Sequence, residues 1–254
     1  MARPFVLLQL SDSHVGADWG VDPVTRLREA VAAVGELPDR PDAVLVSGDL
    51  TDNAAVAEYE VVREELAPLR APVFALPGNH DERAPLRQVF GLAGAAGERV
   101  DYSAELGPLR LIAFDSTLPG RIEGGFDATA LAWLDAELAA APEQPTLLAT
   151  HHPPLATGID AWDGINVTAA DRAALAEVVR RHPQVVAIVG GHLHAPMGGA
   201  LGGRPVLAAP SVYLPMAPQF GVDAVPTSKP GPGGFVLHVL RNGELASHVR
   251  AFGG

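Results

Sequence analysis

Runs of apolar residues alternate with segments of helical periodicity, and this alternation restricts the fold more than any other feature of the chain. Runs rich in Val, Leu and Ile predict strands at 5–10, 43–48, 73–76, 109–114, 146–150 and 185–191. Helices are predicted between them, at about 24–36, 54–66, 127–140 and 169–181. Asp127 and Thr168 are suitable N-caps. Because the strand runs are continuous rather than alternating, we expect strands that are buried on both faces in a layered α/β fold.

The pattern changes near residue 198, where antiparallel strands are predicted. The last two strands read as a hairpin over 235–254 with its turn at Asn242-Gly243. Residues 210–234 are rich in proline and glycine and predict a long irregular loop. Such a loop is often a functional lid, although a surface excursion is the alternative. We expect one domain over 1–254, with 195–234 lining a substrate pocket.

Charge and cysteine content restrict the possible partners and sites. The chain has 18 Lys and Arg against 30 Asp and Glu, a formal net charge of −12, which disfavours binding to a nucleic-acid backbone. Bound metal cations could still attract a phosphate-containing substrate. The absence of cysteine excludes disulfides and thiolate metal sites. The N-terminus "MARPFVLLQLSDSH" does not resemble a signal peptide, and no apolar run could span a membrane, so a cytoplasmic location is expected.

Metal-ligand residue types follow five of the predicted strands, at the points where the strands end. These residues are Asp12, His14, Asp49, Asn79, His80, His151, His192 and His194. In α/β sheets, ligands bind at the carboxyl ends of the strands. Of the nine histidines, the remaining four are expected to be structural or surface residues: His152, His182, His238 and His248.

Spacing supports a common site for these residues. Asp12 and His14 are two apart, as are His192 and His194, and in extended backbone such pairs point to the same side. Glycine precedes the ligand types in "VSGDLTD" and "VGGHLH", which allows a close approach of the backbone. Carboxylate, imidazole and amide ligands without thiolate suit Mn, Fe, Zn, Co or Ni. The number of ligands is sufficient for two ions if one carboxylate bridges them.

The ordered motifs resemble those of the calcineurin-like metallophosphoesterases. They are "DSH" (12–14), "GDLTD" (48–52), "GNHD" (78–81), "HH" (151–152) and "GHLH" (191–194). The segment "FDSTLPGRIEGGFDATALAWLDAEL" (114–138) further resembles class III cyclic nucleotide phosphodiesterases, a branch that includes glycerophosphodiesterases. The resemblance implies a four-layer αββα sandwich with two metal ions, most simply Mn, Fe or Zn.

Residue roles follow from the same resemblance. One ion is implied at Asp12, His14, Asp49 and His194. The other is implied at Asp49, Asn79, His151 and His192, with Asp49 bridging. A metal-bridging hydroxide would attack phosphorus, and His80, which is not a ligand, would stabilise or protonate the leaving alkoxide. Asp81 either orients His80 or caps the following turn.

The expected activity is hydrolysis of a small phosphodiester, with 3′,5′-cyclic nucleotides preferred. Phosphomonoesters, glycerophosphodiesters and nucleotides are alternative substrates for the same centre, and a non-catalytic scaffold is a further alternative. Pocket side chains that could stack on or bind a substrate are Trp162, Asn166, Tyr213 and Phe220, although packing of a loop onto the core is the favoured explanation for each. The resemblance also implies a homodimer.

Overall fold

Two large β-sheets lie face to face, with helices on the outer side of each. The computed structural model describes residues 3–221, 223–228 and 230–253. The strands are β1 (Phe5–Leu10), β2 (Ala43–Ser47), β3 (Val73–Leu76), β4 (Tyr102–Glu105), β5 (Arg110–Ala113), β6 (Thr146–Ala149), β7 (Val185–Gly190), β8 (Met197–Leu201), β9 (Arg204–Ala208), β10 (Met216–Ala217), β11 (Thr227–Ser228), β12 (Gly233–Arg241) and β13 (Glu244–Phe252). The helices are α1 (Pro23–Gly35), α2 (Val56–Leu66), α3 (Arg83–Phe90), α4 (Ala128–Ala139), α5 (Asp160–Asp163) and α6 (Ala169–Arg181), with a 3₁₀ turn at Ala67–Leu69.

Both large sheets are mixed. The first has the order β13-β12-β1-β2-β3, and its β1, β2 and β3 are parallel. The second has the order β4-β5-β6-β7-β9-β8, with β5, β6, β7 and β9 parallel. Strands β10 and β11 form a separate antiparallel pair. In the first sheet the parallel strands extend to the edge strand β3, whereas in the second sheet they form the middle and the antiparallel strands β4 and β8 form the edges.

Three apolar clusters fill the spaces between the layers. Leu8 and Val44 of the first sheet pack with α1 and α2, whereas Leu148 and Ile188 of the second sheet pack with α4 and α6. The third cluster lies between the sheets and contains Leu7, Leu45, Leu76, Leu111, Leu147 and Val189. Alternate residues of one strand thus face a helix and the opposite sheet, which explains the continuous apolar runs. The expected αββα sandwich is confirmed.

The predicted elements agree with the observed ones within two residues at each end. Asp127 and Thr168 cap α4 and α6 by accepting hydrogen bonds from Ala130 and Asp171. The turn Asn242-Gly243 joins β12 to β13, as expected. The helices α3 and α5 and the strand β4 had not been predicted, because all three are short. The predicted irregular loop over 210–234 contains the two-residue strands β10 and β11, which are too short to give a sequence pattern. In the described part of the chain, no helix combines the length and apolar character needed to cross a bilayer.

A chain of buried hydrogen bonds connects the two sheets near the site. Gln9 of β1 donates to the Ser47 hydroxyl at 2.8 Å and to the Gly190 carbonyl of β7 at 2.9 Å. The side-chain oxygen Oε1 of Gln9 accepts from Nε2 of His238 at 2.9 Å, and Nδ1 of His238 lies 2.8 Å from the Ser247 hydroxyl. These bonds satisfy buried polar groups in an otherwise apolar interior. The prediction that His238 is structural is confirmed.

Burial of His238 should make stability depend on pH. Burial lowers the pKa of His238 from 6.5 to about 3. The unfolded chain takes up this proton near pH 6.5, so between pH 6.5 and 3 it binds more protons than the native state, and stability falls as pH falls. Between pH 7.5 and 5.5, wild type should lose about 1.4 kcal/mol that His238→Gln does not lose.

Urea unfolding of both proteins at the two pH values measures this difference. At pH 7.5, His238→Gln should itself be less stable, by about 1–3 kcal/mol, because buried partners are left without hydrogen bonds. His248→Gln is the matched control, since His248 is exposed on β13. If wild type and His238→Gln lost equal stability on acidification, His238 would not be held neutral by the fold.

Candidate functional site

Parallel strands from both sheets end at a common edge, and the predicted ligand residues meet there. Asp12 and His14 follow β1, Asp49 follows β2 and Asn79 follows β3, all from the first sheet. His151 follows β6, and His192 and His194 follow β7, in the second sheet. The structure brings all seven side chains together, and all except Asn79 are buried.

The backbone at the site adopts left-handed conformations that non-glycine residues rarely use. Positive φ angles of 57°, 44° and 48° occur at Asp12, His14 and Asp49, and of 67° and 52° at His192 and His194. The reasoning that extended backbone aligns residues two apart was therefore wrong, although the pairs do converge. Each such conformation costs on the order of 1–3 kcal/mol and is characteristic of functional sites. Two left-handed residues flanking one other residue turn the chain sharply as it leaves β1 and β7.

Glycines next to the ligand residues allow this close approach. A Cβ on Gly48 would collide with the imidazole of His151, and a Cβ on Gly191 would collide with the Ser11 hydroxyl and the Asp12 carboxylate. Gly48 also has a φ of +92°, which disfavours any side chain. The prediction that glycine makes room before the ligand residues is confirmed at these two positions.

Four of the buried side chains form one compact group, composed of Asp12, His14, Asp49 and His194. Nε2 of His14 lies 3.1 Å from Nε2 of His194 and 3.7 Å from Oδ2 of Asp49. Nε2 of His194 is 3.6 Å from Oδ1 of Asp12. Two imidazole nitrogens and two carboxylates thus face a common point, as they do around a cation.

A second group adjoins the first through the same carboxylate. Oδ2 of Asp49 is 3.2 Å from Nε2 of His151, and Oδ1 of Asn79 is 3.3 Å from that nitrogen. The ring of His192 lies 5.2 Å from the ring of His151. Oδ2 of Asp49 therefore lies between imidazoles of the two groups, where a bridging ligand is needed.

Hydrogen bonds to oxygen acceptors orient the four histidines. Nδ1 of His151 bonds to the Ser47 carbonyl at 2.9 Å, and Nδ1 of His194 bonds to the Leu214 carbonyl at 2.8 Å. Nε2 of His192 bonds to the Ile165 carbonyl at 2.8 Å. Nδ1 of His14 lies 3.2 Å from Oδ1 of Asp52. An N–H directed at these oxygens leaves the opposite nitrogen of each ring with a free lone pair, as in protein metal sites. The residues therefore fit a pair of metal ions.

Burial and the carboxylates shift the proton affinities of these groups in opposite directions. Burial lowers the pKa of His192 well below its ordinary value, and it also lowers the pKa of His194. Burial acts in the same direction on His151, but the carboxylates of Asp49 and Asp12 and the hydrogen bond to Ser47 together outweigh it and raise the pKa of His151 to about 9. Burial would raise the pKa of Asp49, yet the imidazoles of His151 and His14 hold it well below its usual range. Cations can replace these protons, because they compete for the same lone pairs.

His80 lies beside the two groups, and Asp52 contacts it. Nδ1 of His80 is 3.1 Å from Oδ1 of Asp52, and a third of the His80 side chain is exposed. The His80 backbone N–H donates to Oδ1 of Asp49 at 2.9 Å. The same Asp52 oxygen contacts Nδ1 of His14. Asp52 is the residue that the sequence reasoning missed, because an Asp in "GDLTD" is equally typical of a turn.

Asp81 has neither of the two roles expected from the sequence. Its carboxylate accepts hydrogen bonds from the backbone N–H groups of Leu50, Thr51 and Gly78, at 3.1, 3.2 and 2.9 Å. The N-cap of α3 is Glu82. Asp81 thus joins the loop after β2 to the loop after β3, and Asp52 is in contact with His80 instead. Sequence proximity favours Asp81, which is adjacent to His80, whereas Asp52 follows β2 and reaches His80 only in the folded chain.

The other candidate side chains are mostly structural. Trp162 is buried in an apolar cluster, and the Asn166 amide donates to the Pro153 carbonyl at 2.9 Å. Tyr213 is buried, whereas Phe220 is exposed. His152 touches the rings of His151 and His192, but its two nitrogens already bond to the Ser116 hydroxyl and the Ile122 carbonyl, both at 2.8 Å. With His151 and His192 it forms a buried group of three histidines whose ligand atoms lie within 4.8 Å of one another, so its expected structural role stays a prediction.

Comparisons with known proteins agree with this site. Residues 5–196 match a family model described as calcineurin-like phosphoesterase. A probable glycerophosphodiester phosphodiesterase from Arcobacter nitrofigilis is 32% identical over 196 residues, covering 74% of this chain and 71% of the relative. A cAMP/cGMP dual specificity phosphodiesterase from Mycobacterium tuberculosis is 36% identical over 217 residues, covering 82% of this chain and 67% of the relative.

Solved structures share the architecture. A purple acid phosphatase from yellow lupin (Lupinus luteus) seeds matches with a TM-score of 0.72 at 14% sequence identity. The match covers 99% of this chain and 52% of that chain, so this chain spans about half the length of the lupin protein. This likeness concerns the fold alone.

Replacing Gly48 should disturb the site without unfolding the protein. In Gly48→Ala, the new methyl group displaces the His151 imidazole, so we expect bound Mn²⁺ per chain, measured by elemental analysis after loading and desalting, to fall by more than half. Gly107→Ala is the matched control, since Gly107 has a similar φ of +81° and open space around its Cβ position. Equal metal content in the two variants would contradict the proposed role of this close approach.

Proposed function

Since this chain belongs to the calcineurin-like phosphoesterase family, we propose that it hydrolyses phosphodiesters and that 3′,5′-cyclic nucleotides are its preferred substrates. The observation that carries the proposal is the position of Asp49. Its Oδ2 lies 3.7 Å from His14 and 3.2 Å from His151, and its Oδ1 accepts the N–H of His80. The Asp49 carboxylate thus contacts both ligand groups and the loop that carries His80.

The residues proposed to hold the metal ions are those of the two groups. One ion is assigned to Asp12, His14, Asp49 and His194, and the other to Asp49, Asn79, His151 and His192. Oxygen and nitrogen donors without sulfur favour Mn, Fe or Zn. When bound, such a pair supplies a water-derived nucleophile near neutral pH and offsets negative charge on the phosphoryl oxygens.

His80 is proposed to assist departure of the leaving group. Oδ1 of Asp52 lies 3.1 Å from Nδ1 of His80, which directs Nε2 of His80 away from Asp52. A proton on Nε2 can then pass to the leaving alkoxide as the P–O bond breaks. Partial exposure of His80 leaves space for substrate. His80 is the proposed catalytic acid, and Asp52 is a positioning residue.

Glycerophosphodiesters are the second candidate substrate class. A relative with 32% identity carries that name, and the metal-binding groups could serve either diester. The scaffold alternative is disfavoured, because a scaffold has no need for converging buried ligands with oriented imidazoles. A homodimer and a cytoplasmic location stay predictions, which light scattering and cell fractionation would test.

Substrate preference should be clear from parallel assays. We expect Mn²⁺-loaded protein to hydrolyse cyclic AMP and bis(p-nitrophenyl) phosphate faster than p-nitrophenyl phosphate, and a chelator-treated sample to be inactive. Activity on the monoester alone would contradict the diesterase proposal. Activity on glycerophosphocholine without activity on cyclic AMP would shift the assignment to the second candidate.

Separate substitutions should distinguish proton transfer from metal binding. His80→Ala should lower kcat by about 10²-fold or more and leave metal content near that of wild type, because His80 is proposed to donate a proton and not to bind an ion. Asp52→Asn should cause a smaller loss, about 10-fold, and alter the pH profile of kcat. His248→Ala serves as the matched control on the exposed face of β13. Loss of metal in His80→Ala would show that His80 is a ligand.

A further inference from the structure

The loop between β1 and α1 places an indole beside the candidate site. Trp19 is 45% exposed, which is unusual for so large an apolar side chain next to buried polar groups. Its ring centroid lies 4.8 Å from that of His14 and 6.2 Å from that of His80. The ring of His194 lies 6.5 Å away and is nearly parallel to it, at 30°. Trp19 therefore lies at the solvent-exposed edge of the group formed by Asp12, His14, Asp49 and His194.

Tyr213 holds this loop in place from below. The Trp19 backbone N–H donates to the Tyr213 hydroxyl at 3.1 Å, and that hydroxyl donates to the Val21 carbonyl at 2.9 Å. The Tyr213 ring is buried and lies 5.4 Å from the indole. One phenol thus anchors the backbone on both sides of Gly20, so the indole is supported on one side by other rings and exposed to solvent on the other.

The indole has no evident part in metal binding or proton transfer. It carries no lone pair suited to an ion, and its N–H is a donor only. Its chemistry is that of a large π-face, which gains free energy by stacking on another aromatic ring. Of the aromatic residues singled out earlier, Trp162 and Tyr213 are buried and present no open face, whereas Phe220 is exposed. Trp19 combines an exposed face with ring contacts to His14, His80 and His194.

We propose that the exposed face of Trp19 stacks on the base of a 3′,5′-cyclic nucleotide whose phosphate lies at the two ligand groups. The inference rests on the proposed function and adds a specificity determinant to it. In a cyclic nucleotide, the base and the phosphate are carried by one ribose, so the base stays within a few ångströms of phosphorus. The Trp19 ring lies at a similar distance from the imidazoles of His14 and His80. It is therefore near the side of the site where His80 would protonate the leaving oxygen.

A comparison of two diesters tests the proposal. Stacking on an aromatic side chain contributes enough binding free energy that Trp19→Ala should lower the ratio of kcat/KM for cyclic AMP to kcat/KM for glycerophosphocholine by about 10-fold or more, mainly through KM. Trp19→Phe should recover most of this ratio. Bound Mn²⁺ per chain should match wild type in both variants, since Trp19 is not a ligand.

Binding without turnover gives an independent measurement. We expect 5′-AMP to quench tryptophan emission in wild type and in Trp133→Phe, but to have little effect in Trp19→Phe. Trp133 is the matched control, because it stacks on Phe114 in the second sheet, with ring centroids 6.2 Å apart.

Three outcomes would overturn the inference. Equal losses on both diesters together with lost Mn²⁺ would mean that Trp19 shields His14 from water and does not bind substrate. If wild type hydrolyses cyclic AMP but Trp19→Ala leaves the kcat/KM ratio unchanged, Trp19 does not stack on the base. The proposed function would be unaffected by that result. A wild type that hydrolyses only glycerophosphocholine would refute the cyclic nucleotide assignment itself, and the stacking role with it.

Discussion

Contact between the two sheets is the interaction on which the site depends. Leucines from β1 and β2 meet leucines from β5 and β6 in a layer that excludes water, and each fully buried leucine contributes about 1.5–3 kcal/mol. This layer alone would permit the sheets to slide. The hydrogen bond from Gln9 to the Gly190 carbonyl is directional, and it connects β1 to the end of β7, immediately before the His192 loop. Relative placement of the ligand residues from the two sheets therefore follows from the core and not from the site alone.

Strain at the strand ends is the local cost of assembling the site. The left-handed residues sit between rigid strands and loops that are held by hydrogen bonds, such as those to Asp81 and from the His192 N–H to Asp12. The surrounding hydrogen bonds determine the backbone and hold the strained residues in place. A site of this kind is preorganised, because the imidazoles already point inward through their bonds to backbone carbonyls.

The sequence predicted the layers and the ligand residues because both are carried by local patterns. Apolar runs specify buried strands, and polar residues directly after them must lie at the carboxyl edge of the sheets. The same reasoning could not separate Asp52 from Asp81, since both lie a few residues from a predicted ligand and the difference depends on loop geometry. It also passed over Trp19, because an isolated Trp in a short loop has no periodicity, and its contacts with His14 and Tyr213 join segments far apart in the chain.

Asp52 connects the two parts of the proposed chemistry. Its Oδ1 lies 3.2 Å from Nδ1 of His14 and 3.1 Å from Nδ1 of His80, so a single oxygen orients a proposed ligand and the proposed acid. A cation on Nε2 of His14 would make its Nδ1–H a stronger donor and draw more of the Asp52 charge toward that ring. The orientation of a proposed ligand and the position of the proposed acid are thereby linked through one carboxylate oxygen, and neither His14 nor His80 alone would show that link.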